Sequence, residues 1–170
     1  MILNGNFADP SDISLEEESV FWKSGQIGLN YIKSVNVDRL LAPSFEVHNL
    51  PAPNNAQRYG GWERKGANNW TSSDDTFTLA GHSLGHWMSA AAVFYRATGD
   101  TEILEKLNYA VDRLDYLQKS TGSAYIGGCR EDCFIKLLEG NIESWADGYW
   151  VPWYGIHKIY QGLIEAYIYT

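Results

Sequence analysis

His82 and His86 stand four residues apart, a spacing that puts two imidazoles on one face of a helix. Such a pair can ligate zinc, bind or orient around hydroxyl groups, or sit satisfied inside a fold. The HExxH arrangement is absent, because Ser83-Leu84-Gly85 intervenes. Gly81 and Gly85 precede the two histidines and leave room for a ligand or another backbone. His157 follows the aromatic run Trp150-Val-Pro-Trp153-Tyr154. A neutral imidazole there both donates to and accepts from sugar hydroxyls, while a neighbouring ring offers an apolar stacking face. Packing under the aromatic run is the plainer alternative. Trp62 and Glu63 follow Tyr59-Gly60-Gly61, a turn that presents indole and carboxylate together. Glu63 reads as a hydroxyl ligand, an acid, or a solvated loop carboxylate.

Other reactive residues carry less. Glu131, Asp132, Glu143 and Asp147 have no identifiable partner, so no glycosidase carboxylate pair can be placed in the chain. Cys129 and Cys133 share CxxxC spacing without a second Cys/His cluster, and two reduced, half-buried thiols are the favoured reading.

These groups need helices to hold them. Ser14 with Glu17 three residues on has capping-box spacing and predicts a helix over about 15–33, with apolar positions at Val20, Phe21, Ile27, Tyr31 and Ile32. Residues 42–78 read as a long loop broken by Pro43, Pro51, Pro53 and several glycines, with Tyr59, Trp62 and Trp70 marking it as functional and partly packed. The clearest helix runs over about 79–97, with Leu84, Trp87, Met88, Ala91 and Phe94 on one stripe. Gly99 and Asp100 end it and cap a second helix over 101–120, making an antiparallel hairpin. A short helix over 131–138 and a last one from about Trp153 to the final residue complete the reading. Tyr95-x-x-Thr98 and Tyr167-x-x-Thr170 end two helices alike, which suggests equivalent members of a helical-hairpin array with a further Gly and helix expected after Thr170.

The 170 residues suit one domain; 45% are hydrophobic, enough for a real core. A net charge of -8 disfavours a nucleic-acid partner. No apolar run is long enough to cross a bilayer, and no secretory signal is visible at the N-terminus, which points to a cytoplasmic location. Aromatic residues at 14% suggest carbohydrate faces to stack on, beside the plainer reading of core packing.

Six motifs in order then carry a family resemblance: Asp38-Arg-Leu-Leu-Ala-Pro43, Tyr59-Gly-Gly-Trp-Glu63, Gly81-His-Ser-Leu-Gly-His-Trp-Met-Ser-Ala90, Tyr95-x-x-Thr-Gly-Asp100, Tyr125-Ile-Gly-Gly128 and Gly148-Tyr-Trp-Val-Pro-Trp-Tyr-Gly-Ile-His-Lys158. Together they resemble the N-terminal part of the β-L-arabinofuranosidases of glycoside hydrolase families 127 and 146. The resemblance implies an all-α fold, the N-terminal portion of an (α/α)6 barrel, with residues 1–13 as a lead-in and 14–170 as an incomplete catalytic domain. It implies a retaining hydrolase that removes L-arabinofuranose from plant glycans, with a glutamate acid/base and a zinc-held cysteine nucleophile. Those residues and the zinc ligands fall beyond residue 170, so neither a catalytic nor a metal residue is assigned here, and Cys129 and Cys133 do not fall on the family's cysteine motif. The implied substrate-binding set is His82 and His157, with His86, Trp62, Glu63 and Trp153 in support. The implied partners are an arabinose-containing oligosaccharide or polysaccharide and the remainder of the protein's own chain, with no nucleic acid and no membrane.

Two rival readings stay open. A non-catalytic carbohydrate-binding or helical interaction module would keep the aromatic and histidine surface, and another (α/α)-barrel glycan enzyme would share the architecture. The hydrolase reading expects the segment alone to be inactive and poorly stable, and expects His82, Trp62 and His157 to converge on one pentose-sized hollow.

Overall fold

The computed structural model describes residues 8–63, 79–141 and 151–170. Trp70, Glu143, Asp147 and Trp150 lie outside the described residues, as does the Cys133 side chain. Among the described residues the chain is all-α, without strands. Six helices follow in order: α1 (Val20–Ser34), α2 (Val37–Val47), α3 (His82–Thr98), α4 (Thr101–Thr121), α5 (Asp132–Leu138) and α6 (Pro152–Tyr169).

Helix α3 is the hub, touching α1, α2 and α4 and packing most extensively on α6. Its stripe of Leu84, Trp87, Met88 and Ala91 is buried, and so are Ile103, Leu107, Leu114 and Leu117 of α4. The hairpin between them forms as the cap chemistry dictates. Gly99 closes α3 in the left-handed conformation, and the Asp100 carboxylate accepts from the N–H groups of Glu102 and Ile103.

α3 and α6 run parallel. Gly155 near the start of α6 faces the carbonyls of Leu79 and Ala80, and Gly162 further along faces Gly85 and Met88. The approach is so close that a methyl on Gly85 would overlap the Lys158 carbonyl. The two similar C-termini are also equivalent in structure, since the hydroxyls of Thr98 and Thr170 each donate to the carbonyl four residues back, at 2.7 Å. A hairpin whose first helix stacks parallel on an equivalent later helix is the repeating step of an (α/α) barrel.

Three expectations need correction. α1 starts at Val20, not at 15, because Glu18 takes a left-handed φ of 63° and breaks the turn that Ser14 was read as capping. Ser19 is the cap, accepting from the Trp22 N–H at 3.1 Å. Of the apolar positions assigned to α1 only Ile32 is buried; the helix meets α3 at Gly28, against the Phe94 ring. Finally, helix α2 occupies part of the supposed loop. Asn36 caps it, and Pro43 is accommodated inside it because burial of Leu40, Leu41, Ala42 and Phe45 outweighs the one backbone bond that proline removes.

Candidate functional site

Helix α2 aims the segment that follows it. Arg58 binds Glu46 through two nitrogens, at 2.7 and 3.0 Å. Arg39 lies 4.1 Å over the Tyr59 ring and donates to the Gln57 carbonyl, while the Tyr59 hydroxyl accepts from the Asn36 N–H at 3.0 Å. Residues 57–59 are thereby clamped to α2, and the single 3-10 turn Gly61–Glu63 is delivered to the start of α3.

There Glu63 does what no local residue does. The N-cap of α3 is Gly81, which has no side chain to cap with. The Glu63 carboxylate takes that place, accepting from the Gly81 N–H at 2.6 Å and the Ser83 N–H at 2.9 Å. It also lies 3.0 Å from Nδ1 of His82. The reading of Glu63 as a solvated loop carboxylate is therefore wrong, for the residue is only 3% exposed. Burial pushes its carboxyl pKa up, but the bonds from His82, Ser83 and Gly81 outweigh that and leave it below its ordinary value. Gly81 itself is held at φ 93°, and a side chain there would strike the Gly128 backbone, so the Tyr125–Gly128 turn presses directly on this helix start.

His82 and His86 meet edge to face, with ring centres 5.8 Å apart. Tyr154 of α6 completes the group, 5.9 Å from the His82 ring and with its hydroxyl 3.0 Å from Nε2 of His86. The two histidines are driven apart in basicity. Burial lowers the His82 pKa, but the bond to Glu63 and its charge raise it above the ordinary value. Burial, then Lys158 and His82, push that of His86 down. The sequence reading passed over Tyr154 as a partner. Its signal was the spacing of four to Lys158, whose ammonium sits 5.2 Å from the Tyr154 ring centre.

A cleft of about 590 Å³ opens beside this cluster, lined by Tyr31, Tyr59, Trp62, Glu63, Ser83 and His86 among others. Its volume suits a small ligand. Trp62 is half exposed over it. His82 is not among its lining residues, although His86 on the same helix is, and Trp153 and His157 do not join it either. Trp153 and His157 line a second groove of about 540 Å³ with Ile156, Tyr160 and Ile164, and among the described residues the two clefts share no lining residue. The expectation of one hollow is corrected accordingly. The cause is helical phase: Tyr154 and Lys158 border the stripe that packs on α3, whereas Trp153 and His157 fall on the opposite side of α6. Trp153 rests edge to face on Phe134, 4.9 Å between centres.

Of the cysteines, Cys129 is buried, with the Tyr125 hydroxyl 3.3 Å from its sulfur. Among the described residues no group of three or more His, Cys, Asp or Glu could hold a metal ion, so the zinc that the resemblance implies finds no donor set among them. No helix among the described residues is long and apolar enough to cross a membrane.

Comparison with known families decides the assignment. The family model for the catalytic domain of β-L-arabinofuranosidase, glycoside hydrolase family 127, matches residues 12–170. The chain belongs to this family. The family 127 match spans every helix described above and the whole Glu63–His82–His86–Tyr154 cluster. The family is one of glycoside hydrolases, and a carbohydrate substrate follows from it. The comparison with curated proteins gave no match.

Proposed function

We propose that the protein is a retaining β-L-arabinofuranosidase that releases L-arabinofuranose from plant glycans, and that this chain supplies part of its sugar-binding surface. The observation that carries the reading is the meeting of His82, His86 and Tyr154 at the N-terminal ends of two parallel helices, with His86 opening onto the cleft that Trp62 also lines. A furanose offers several hydroxyls around one apolar face. Imidazole nitrogens serve those hydroxyls as donors or acceptors, and an exposed indole serves the face. The His157 and Trp153 groove is proposed as a neighbouring contact for sugar further along the chain. Zinc, the nucleophile and the acid/base are proposed for residues other than the described ones, and catalysis for a protein larger than these 170 residues.

The test is hydrolysis of para-nitrophenyl β-L-arabinofuranoside by the full-length protein, with the first-formed anomer read by NMR. Release of β-L-arabinofuranose before mutarotation is expected. Release of the α anomer would overturn retention, and no turnover alongside cleavage of a different para-nitrophenyl glycoside would overturn the substrate.

A further inference from the structure

Glu63 is buried against a histidine on a neighbouring element, and the reading of the site as a sugar pocket does not explain why. Nδ1 of His82 faces two oxygens, the Leu79 carbonyl at 2.8 Å and Glu63 Oε1 at 3.0 Å. The carbonyl can only accept. The carboxylate already receives the backbone N–H groups of Gly81 and Ser83, an environment that favours its ionised form, which also only accepts. A bare Nδ1 would turn its lone pair toward both oxygens, so the proton must sit on Nδ1.

We infer that Glu63 is a positioning residue acting through His82: it fixes the imidazole as the Nδ1–H form in one ring orientation, so that Nε2 is the nitrogen offered to a sugar oxygen. The consequence is a choice of role. With Nδ1 committed, Nε2 accepts from a hydroxyl when the ring is neutral and donates to an oxygen when it is cationic. The neighbouring carboxylate favours the cation. Among the described residues, the titratable groups facing the ring are Glu63 from the 61–63 turn, His86 on the same helix and Tyr154 from α6. Lys158 lies beyond Tyr154, and His157 is further along α6. The positive N-terminal end of α3 disfavours the imidazolium, which makes the carboxylate the group that decides its charge.

The inference deepens the proposed function, and only the kinetic arm of its test rests on that reading. The full-length protein labelled with 15N-histidine would be titrated by NMR, with the His82 signals assigned by their loss in His82→Ala. Wild-type protein should show the Nδ1–H form and a midpoint above that of a free histidine. Glu63→Gln keeps the shape and removes the charge, so its midpoint should fall, and Glu63→Asp should lie between. An Nε2–H form in the wild type, or an unmoved midpoint in a folded Glu63→Gln, would overturn the inference. If Glu63→Gln does not fold, the wild-type signals decide the question alone. In the kinetic arm, Glu63→Gln should lower kcat/KM at neutral pH on the order of tenfold and move the alkaline limb of its pH profile to lower pH. A profile that keeps its shape would overturn the role in binding. Absence of turnover in the wild type would sink the proposed function while leaving the NMR result to judge Glu63.

Discussion

Gly162 of α6 lies directly against Gly85 of α3: a side-chain carbon at Gly162 would come within 2.7 Å of the Gly85 carbonyl oxygen. That contact sets the distance between the two helices that carry His82, His86 and Tyr154. The site is therefore only as well placed as this glycine seam.

Gly85→Ala should separate the helices. The substitution gains roughly 1 kcal/mol of helix propensity, but the overlap with the Lys158 carbonyl is with backbone that cannot step aside. A net loss of about 1–3 kcal/mol is expected. Thermal unfolding of the full-length protein should show a lower Tm, and an unchanged or higher Tm would show that the seam can open freely.

The Glu63–His82 pair should leave a mark on stability as a function of pH. The Glu63 pKa lies below its ordinary 4.5 in the fold, so its contribution is present above that value and is lost as pH falls through the folded pKa. His82 lies above its ordinary 6.5, so its contribution is present below 6.5 and is lost as pH rises through the folded pKa. The Tm difference between wild type and Glu63→Gln should thus be greatest between pH 4.5 and 6.5. It should shrink on the acid side and fall partway on the alkaline side, where Gly81 and Ser83 still bind the carboxylate. A difference that is flat from pH 3 to 9 would contradict the pairing.

The α3–α4 hairpin was legible because every signal for it is local. Apolar residues repeat at helical spacing, and Gly99 and Asp100 are adjacent, so cap and stop are read from consecutive letters. Helix α2 was hidden by Pro43, a residue that ends most helices and here is tolerated through burial that only the tertiary structure reveals. The start of α1 was misplaced because Ser14 and Ser19 are both competent caps, and the left-handed turn at Glu18 chooses between them. Within the site, spacing placed His82 and His86 on one face. Burial of Glu63 was not legible, since beside His82 its partners are backbone groups of Gly81 and Ser83, and those residues carry no sequence mark of what caps them. The separation of His157 from Trp62 was equally hidden, because it depends on which side of α6 meets α3.

Trp87 ties the site to the body of the fold. Its indole N–H donates to the Ile32 carbonyl at 3.0 Å in a buried contact between α3 and α1. Trp87→Phe leaves that carbonyl without this donor and should cost about 1–3 kcal/mol, seen as a reduced urea midpoint with little change in slope. A midpoint equal to wild type would show that the contact carries no net stability.

Trp62 should act on binding alone. Its indole is half exposed over the cleft, so truncation leaves the core intact. Trp62→Ala should raise KM for the arabinofuranoside about tenfold with kcat little changed, as expected when a stacking contact is equal in ground and transition states. A fall in kcat with KM constant would assign the ring a different task.

The most direct test of the whole account is kcat/KM for the full-length protein and a folded His82→Ala variant on para-nitrophenyl β-L-arabinofuranoside. A loss on the order of 10- to 100-fold is predicted, the worth of one charge-assisted hydrogen bond to the sugar. Equal kcat/KM in the two proteins would contradict the placement of substrate at the head of α3.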